Sequence, residues 1–358
     1  MTTDTSRRAI DGRYYTDPGI FERELDVVFA RTWQMVGHVS QLATAGDLIT
    51  ATVGRERIVV ANDGTGINAF YNVCQHRGHQ LVLEEQANMT DISCPYHAWL
   101  YDLSGRLLNA RRLPAGALGD ICVPPVRVET IAGYVFVNLD DDAPSLADTA
   151  PGVEAALLDL APAAPKRVRT ARLTHEFAAN WKLAIENYNE CYHCPNVHRS
   201  FTTGVIDPKT FLITPRGQTV WHTASAAPPD RRPYALDDEH TGYGSFFVWP
   251  VSSIQCYPGR ILNTFRWVPL AVDRTLLIRE WWLDEAEPTD EQRKAIELDW
   301  TTTVAEDFDL MESVQHNMSS RGYRPGPLVI DSSGTADVHH ENAVPHLQAL
   351  AVATLGDV

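Results

Sequence analysis

Two short stretches, CQHRGHQL at residues 74–81 and CPYHAWLYDLSGRL at residues 94–107, decide the fold of the first half of this chain. Each combines a cysteine with a histidine, as Cys-x-His and as Cys-x-x-His, and seventeen residues lie between the two pairs. Two thiolates and two imidazoles make a complete four-ligand metal set. The candidate ligands are Cys74, His76, Cys94 and His97.

Three interpretations of this set compete. Four unrelated buried residues are a poor explanation for so regular a spacing. A structural zinc ion accepts the same ligand types, but zinc fingers usually place a cysteine pair before a helix, whereas both pairs here mix Cys with His. In a Rieske [2Fe–2S] centre, two cysteines hold one iron and two histidines hold the other. From the residues alone, zinc and the Rieske cluster both stay open.

The surroundings of the two stretches are typical of strands. Between residues 46 and 140, short β-branched or aromatic runs alternate with Gly, Asn and Asp, which predicts a small all-β domain. Residues 143–166, rich in Ala and Pro, predict a linker with one short helix. Hydrophobic periodicity and capping residues predict helices at 17–32, 178–194 and 289–319 and at the C-terminus, with strands between 210 and 284.

A second group of metal-binding residue types stands in ENYNECYHCPNVH, residues 186–198. His193 and His198 would lie more than about 90° apart on an unbroken helix, too far to share one ion. Pro195 disfavours helical geometry at Cys194, so we expect the helix to end there. His193 would then occupy the last turn and His198 the segment beyond, and both would face one metal ion.

Two histidines need a carboxylate to complete the facial triad of a mononuclear non-haem Fe(II) site. Asp307 lies on a predicted apolar stripe of the 289–319 helix, whereas Asp309 points almost the opposite way. A carboxylate among apolar side chains is costly unless it is paired or binds a cation. Asp307 is therefore the candidate third ligand, with a salt bridge to a buried arginine as the alternative. The members of the stripe are Trp300, Val304, Met311, Val314 and Met318.

The motif C-x-H-R-G-H followed by C-P-Y-H-A-W-x-Y-x-x-x-G resembles the cluster motif of Rieske oxygenases. NWK–ENY–E–YH–H resembles the start of their catalytic domain, and EDFDLMESVQ resembles the later helix that bears the acid. The resemblance runs from YYTDPGIFERELDVVFARTW to ENAVPHL, nearly the whole chain. It implies an α+β protein: an all-β Rieske [2Fe–2S] domain and a helix-grip-type antiparallel-sheet catalytic domain covered by helices. The implied divisions are an N-terminal helical segment packing on the catalytic domain (1–40), the Rieske domain (41–145), a linker (146–170) and the catalytic mononuclear iron domain (171–358).

The resemblance also implies residue roles. Cys74 and Cys94 would hold the inner iron of the cluster, and His76 and His97 would hold the outer iron. His79 would form a hydrogen bond within the loop and bind no metal. His193, His198 and Asp307 would hold the mononuclear iron. Glu190, where the family often has Asp, would connect His193 to His97 of a neighbouring subunit in a head-to-tail homotrimer. Asn187 of the same motif is a further candidate catalytic residue.

Two iron centres imply O₂ activation with electrons supplied from outside. The sequence has no G-x-G-x-x-G fingerprint after a strand, so NAD(P)H and flavin should belong to a separate reductase, with or without a ferredoxin. Glu190 and EDFDLMESVQ most resemble the branch that hydroxylates choline, glycine betaine, carnitine or stachydrine. Such cations need aromatic faces, and the candidates on the strands are Phe246, Phe247, Trp249, Tyr257 and Trp267. The alternatives are a ring-hydroxylating oxygenase acting on an aromatic compound, and a Rieske electron carrier without oxygenase activity.

Composition restricts the partners and the compartment. A net charge of −16 argues against nucleic acid. No apolar run approaches the roughly 20 residues that span a bilayer, and the N-terminus has no apolar signal region, so we expect a cytoplasmic protein. Six cysteines in a reducing compartment are more often free, metal-bound or catalytic than disulfide-paired. Cys191 and Cys194 form C-x-x-C, a spacing that also suits a redox pair or a zinc site, but beside two iron-ligand histidines we expect two small buried thiols.

Overall fold

The computed structural model describes residues 3–4, 6–114, 116, 119–235, 242–334 and 336–356. The chain divides into two compact units, residues 29–146 and the remainder on either side of them. The functional domain limits expected from the sequence stay a prediction. Within the described part, no helix has both the length and the apolar character to cross a bilayer.

The chain begins with short elements: strand β1 (Thr3–Asp4), helix α1 (Arg13–Thr16), helix α2 (Pro18–Glu24) and a π-helical turn (Leu25–Phe29). The Asp17 carboxylate accepts hydrogen bonds from the backbone N–H groups of Gly19 (2.7 Å) and Ile20. This cap and Pro18 in the first turn begin the helix where the sequence predicts it. The helix ends near Phe29, three residues before the predicted end.

The unit formed by residues 29–146 is all-β, as predicted. Its main sheet is antiparallel in the order β2-β11-β10-β5-β4-β3-β6, and a second sheet has the order β7-β8-β9. A core that includes Cys74, Cys94 and Tyr101 lies beside the second sheet. The strands are β2 (Gln34–His38), β3 (Asp47–Val53), β4 (Glu56–Asn62), β5 (Ile67–Tyr71), β6 (Gln86–Asn88), β7 (Ile92–Ser93), β8 (Leu100–Tyr101), β9 (Leu107–Asn109), β10 (Pro125–Ile131) and β11 (Tyr134–Asn138).

The segment predicted as a linker, 146–170, contains the predicted short helix and more helical structure besides. It contains α3 (Leu146–Thr149), α4 (Val153–Leu160) and a 3₁₀ turn (Ala164–Lys166). Val153, Leu157 and Ala161 are fully buried, because α4 covers the strand that carries Gly244. The Ala-rich composition that suggested a linker is that of a short buried helix.

The larger unit contains a seven-stranded antiparallel sheet in the order β12-β18-β17-β16-β15-β14-β13. Helices cover this sheet, so the predicted α+β class is confirmed. Strand β19 pairs with β1. The strands are β12 (Val168–Phe177), β13 (Leu212–Arg216), β14 (Thr219–Ser225), β15 (Gly242–Val248), β16 (Ser252–Tyr257), β17 (Ile261–Ala271), β18 (Arg274–Leu283) and β19 (Ile330–Asp331).

The helices of this unit differ in detail from the prediction. The helix expected over 178–194 is interrupted: α5 spans Trp181–Tyr188, and α6 spans Cys194–Val197. The helix expected over 289–319 is confirmed as α7 (Asp290–Asp299), a π-helical segment (Trp300–Val304) and α8 (Ala305–Met318). The predicted C-terminal helix is α9 (Ala343–Leu355).

Candidate metal and substrate sites

The two Cys-His pairs lie on loops with matching backbone hydrogen bonds. The Cys74 carbonyl accepts from Gly78 N, and the Cys94 carbonyl accepts from Ala98 N, both at 2.9 Å. Gly78 (φ +75°) and Ala98 (φ +57°) both adopt the left-handed conformation that closes each loop. The two loops therefore present their ligand-type side chains in the same way.

The four candidate cluster ligands on these loops differ in solvent exposure. The thiols of Cys74 and Cys94 are buried, whereas His76 is exposed and His97 half-buried. The two imidazole rings lie 4.6 Å apart, and His76 stacks on Trp99 at 4.7 Å. An inner sulfur pair and an outer nitrogen pair are the arrangement that a Rieske cluster requires.

Sequence reasoning missed Tyr101, which stands beside this site. Its hydroxyl accepts a hydrogen bond from Gln75 N (3.1 Å) and lies 3.3 Å from Cys74 Sγ. Since the hydroxyl hydrogen is free to point at the sulfur, Tyr101 is placed to stabilise a ligating thiolate. As expected, His79 bonds within the loop, with Nδ1 donating to the Gln80 carbonyl at 2.6 Å.

In the larger unit, His193, His198 and Asp307 converge, with one ligand atom from each lying within 4.8 Å of the others. The Nε2 atoms of the two histidines are 3.0 Å apart, and Asp307 Oδ1 lies 3.0 Å from His198 Nε2. Although Asp307 Oδ1 is buried, it has no hydrogen-bond partner among the described residues. Three ligand-type atoms this close together fit a bound cation.

Two further carboxylates fix the histidine tautomers. His193 Nδ1 donates to Glu190, and His198 Nδ1 donates to Glu306 Oε2 at 2.9 Å. Each Nδ1 therefore carries the ring hydrogen, and each Nε2 presents a lone pair. Burial lowers the pKa of both imidazoles, but the carboxylates outweigh it and raise both pKa values above the ordinary value. The surroundings of the two imidazoles thus favour positive charge. The sequence analysis did not predict the role of Glu306.

The local backbone explains how two histidines five residues apart meet. Asn189 Nδ2 donates to the Ile185 carbonyl at the end of α5, and the Glu190 carboxylate accepts from Tyr192 N and His193 N. The Glu190 carboxylate therefore satisfies two backbone N–H groups that a continuing helix would pair with carbonyls of α5 and Asn189, and the Asn189 amide adds a second hydrogen bond to the last turn of α5. The prediction that Pro195 ends the helix is wrong: Pro195 lies in the first turn of α6. His193 and His198 lie at the two ends of α6.

The prediction of two free thiols at Cys191 and Cys194 is wrong. They form a disulfide, with Cα atoms 4.9 Å apart in the loop between α5 and α6. This separation lies within the range that a disulfide bridges. Among the described cysteines, Cys74, Cys94, Cys122 and Cys256 form no disulfide.

A cavity opens beside the histidines, between α5, the sheet and α8. Of the predicted pocket residues, Tyr257 and Trp267 line it, and so does Asn187, the further catalytic candidate. Phe247 and Trp249 do not: Phe247 is buried under Trp267, and Trp249 packs on Trp181 with ring centres 5.6 Å apart. Phe246 faces the opposite side of the sheet and contacts Trp221. Sequence reasoning missed the other main wall residues, Tyr188, Phe201, Phe211, His222, Tyr243 and Phe265.

The cavity wall is held by a buried ionic network that joins α7 to the sheet. Arg279 binds Asp299 at 2.5 Å and also donates to Gln255 (3.1 Å), and Tyr257 donates its hydroxyl hydrogen to Asp299 at 2.7 Å. A buried charge pair with further hydrogen bonds tolerates little displacement. The aromatic wall is therefore rigid where it meets α7.

Known families and proteins resemble this chain over nearly its whole length. The family described as Rieske [2Fe-2S] domain matches residues 32–127, and that described as Ring hydroxylating alpha subunit (catalytic domain) matches residues 166–349. The carnitine monooxygenase oxygenase subunit of Escherichia coli (strain K12) is 35% identical over 97% of this chain and 94% of that protein. This chain belongs to the Rieske oxygenase family.

The family includes other similar members. The glycine betaine monooxygenase oxygenase subunit of Chromohalobacter salexigens is 29% identical over 88% of this chain and 80% of that protein. A solved quaternary ammonium Rieske monooxygenase superposes with a TM-score of 0.90 at 29% identity, covering 98% of this chain and 96% of that one. Naphthalene 1,2-dioxygenase from Rhodococcus sp. shares the fold, with a TM-score of 0.80 at 20% identity over 97% and 94% of the two chains.

As a Rieske oxygenase, the chain is an oxidoreductase whose cofactors are a [2Fe–2S] cluster and a mononuclear iron. The chain's donor sets fit both groups: a buried thiol pair beside an outer imidazole pair, and two Nε2 lone pairs beside an unpartnered carboxylate oxygen. The assignment of individual ligands stays a prediction, and it enters the proposal below.

Proposed function

We propose that this Rieske oxygenase hydroxylates a C–H bond of a small quaternary ammonium compound. Collapse of the hydroxylated product then leads either to N-demethylation or to cleavage of another C–N bond. The observation that carries the proposal is the aromatic cavity next to His193, His198 and Asp307. The names of the relatives, carnitine and glycine betaine monooxygenase oxygenase subunits, support the same substrate class.

The cavity suits a cation in shape and charge. Tyr188 lies at the centre of its aromatic cluster, with ring centres 4.8 Å from Phe265 and 4.9 Å from Trp267. Aromatic faces attract a quaternary ammonium group through their quadrupoles. Among the described residues that line the cavity, none is Lys or Arg, whereas Glu190 and Asp307 are acidic. This charge distribution gives a cation an advantage that a neutral arene lacks.

The proposed ligands are Cys74, His76, Cys94 and His97 for the cluster, and His193, His198 and Asp307 for the mononuclear iron. When bound, the cluster stores one electron, and the iron supplies O₂ activation at open coordination positions. The chain's own residues orient the reaction. Glu190 and Glu306 hold both imidazoles with Nε2 toward the metal, and the aromatic wall excludes water from the bound substrate.

We also propose a head-to-tail homotrimer in which the cluster loops of one subunit reach Glu190 of the next. The loop surface carries His76, Arg77 and the 53% exposed Tyr96. The surface groove beside Glu190 also holds the carboxylate of Glu341 and the exposed Leu310 and Val314. In the proposed trimer, the basic and aromatic surface of the cluster loops would contact the acidic and apolar groove of the next subunit. Glu190 would then connect His193 to His97 of the neighbouring subunit.

Electrons must come from another protein under this proposal. The sequence contains no nicotinamide or flavin fingerprint, so the donor is a separate NAD(P)H-dependent reductase carrying flavin, with or without a ferredoxin. O₂ and the small substrate are the remaining reactants.

The test is substrate-triggered O₂ uptake by the reduced, iron-loaded protein. A panel of choline, glycine betaine and carnitine is compared with a panel of aromatic acids, and 3,3-dimethylbutan-1-ol serves as the uncharged control for choline. We expect at least one quaternary ammonium compound to trigger uptake with product formed, and the uncharged control to fail. Turnover of an aromatic acid alone would assign the ring-hydroxylating function, and no turnover at all would favour an electron carrier.

A further inference from the structure

Several hydroxyl groups of the substrate cavity already have partners. The Tyr188 hydroxyl lies 2.6 Å from Ser245 Oγ and 2.7 Å from Ser253 Oγ. The Tyr257 hydroxyl donates to Asp299, and the Tyr243 hydroxyl accepts from Gln255 at 3.2 Å. These groups shape the wall and have little capacity left to bind a polar ligand atom.

His222 is different. It lies on β14 at the cavity wall and is only 3% exposed, yet its Nε2 has no hydrogen-bond partner among the described residues. A buried polar atom without a partner costs stability, so such an atom in a binding cavity points to a ligand. Burial lowers the pKa of His222 to about 3, so the ring is neutral at physiological pH.

The surroundings of His222 hold the ring in place. It stacks on Tyr188 at 5.5 Å between ring centres and meets Phe211 edge-on at 5.9 Å. β14 pairs on both sides, with Ile213 and Ser245 opposite His222. The imidazole is therefore a fixed member of the aromatic wall that adds a hydrogen-bonding edge to it.

We propose that His222 is a specificity-determining residue whose Nε2–H donates a hydrogen bond to an oxygen atom of the bound quaternary ammonium substrate. This inference rests on the proposed function and adds a second recognition element: aromatic faces bind the cation, and His222 binds the oxygen-bearing end. No Lys or Arg lines the described cavity, so a carboxylate or a hydroxyl must find its donor in a neutral side chain.

The test measures the affinity of the iron-loaded protein for three ligands by calorimetry. Glycine betaine offers a carboxylate, choline a hydroxyl, and tetramethylammonium only the cation. His222→Phe should weaken binding of at least one oxygen-bearing ligand by about tenfold or more, with tetramethylammonium changed by less than about twofold. The ligand that loses affinity identifies carboxylate or hydroxyl recognition.

Two further variants separate hydrogen bonding from structure. His222→Gln keeps an N–H donor and should recover part of the lost affinity. Trp221→Phe changes the neighbouring residue on the same strand, which does not line the cavity, and should leave all three affinities unchanged. Visible absorption and iron content confirm that each variant retains both metal centres.

Three results would overturn the inference. Equal loss for all three ligands would make His222 part of the cation cage, and unchanged affinities would remove it from recognition. In both cases the proposed function would stand. If the wild-type protein bound no quaternary ammonium compound, with carnitine added to the three ligands, the proposed function would fail together with the inference.

Discussion

The orientation of the paired histidines depends on residues that bind no metal themselves. Glu190 and Glu306 accept the Nδ1 hydrogens of His193 and His198, so both Nε2 lone pairs face Asp307. The ligand-type residues of this site could be predicted from spacing and from the apolar stripe. Glu306 and His222 could not, because their roles depend on which way α8 and β14 face.

At this scale the first prediction concerns Asp307. Asp307→Ala removes the carboxylate oxygen that has no hydrogen-bond partner, so we expect loss of the mononuclear iron and of turnover. The visible spectrum of the cluster should be unchanged, because its ligands lie in the other unit. Iron analysis and spectroscopy measure both effects.

The matched control is Asp309→Ala, since Asp309 is exposed on the same helix, as predicted. It should keep both metals and full turnover. Product formation by Asp307→Ala at the wild-type rate would refute the assignment of this ligand.

A second prediction at this scale concerns Glu190, which bonds His193 and two backbone N–H groups. Glu190→Gln should retain both metal centres, because the amide oxygen can still accept the His193 Nδ1 hydrogen, although the NH2 group cannot replace the oxygen that accepts from the two backbone N–H groups. We expect electron transfer to the mononuclear site to slow by at least about tenfold as the charged link is lost. Single-turnover oxidation of the reduced cluster measures the rate, and a wild-type rate would exclude the bridging role.

At the scale of elements, two departures from a regular helix build the site. The break after Tyr188 places His193 and His198 at the ends of α6, and the π-helical segment before α8 changes the phase of the following turns. The long helices and the sheet could be predicted from periodicity. The apolar stripe predicted on the 289–319 helix is wrong beyond the π-helical segment. Val314, a predicted member of the stripe, is 44% exposed, whereas Phe308 and Gln315, which were not predicted members, are buried.

Three helices meet at one buried carboxyl group. Glu186 on α5 accepts hydrogen bonds from Tyr15 on α1 (2.8 and 3.0 Å) and from Gln348 on α9 (3.1 Å). Burial raises the pKa of Glu186 to about 7, and the hydrogen bonds and Lys182 oppose only part of this effect. The group is protonated more readily when folded than when unfolded, where its pKa is about 4.3.

This raised pKa gives a prediction for stability. Between about pH 4.3 and pH 7 the folded chain holds the extra proton, so the contribution of Glu186 to stability falls as the pH rises. Glu186→Gln should therefore raise the thermal unfolding midpoint, relative to wild type, more at pH 8 than at pH 5.5. An identical difference at the two pH values would contradict the raised pKa.

At the scale of the whole molecule, the sequence motifs were enough to predict the two iron cofactors, and the candidate ligand sets lie in different units. One short helix was predicted in the linker, but its packing was not, because burial of α4 depends on its partner strand rather than on its composition. The proposed head-to-tail trimer would make electron transfer between the two centres an intersubunit step.

Hybrid trimers test that step. A His76→Ala chain has a defective cluster and an Asp307→Ala chain a defective mononuclear site, so each variant alone should be inactive. In a mixed head-to-tail ring, one of the three junctions pairs an intact cluster with an intact mononuclear site, which predicts about one third of wild-type turnover. Inactive hybrids of confirmed trimeric size would contradict transfer between subunits.

The most direct measurement is a single turnover of the wild-type protein carrying both iron centres. The protein is reduced without O₂, mixed with a quaternary ammonium substrate and then exposed to O₂, while the cluster spectrum and the products are followed together. We predict that the cluster oxidises at a substrate-dependent rate and that oxidised product appears at the same rate. Cluster oxidation with no product from any quaternary ammonium compound would contradict the account.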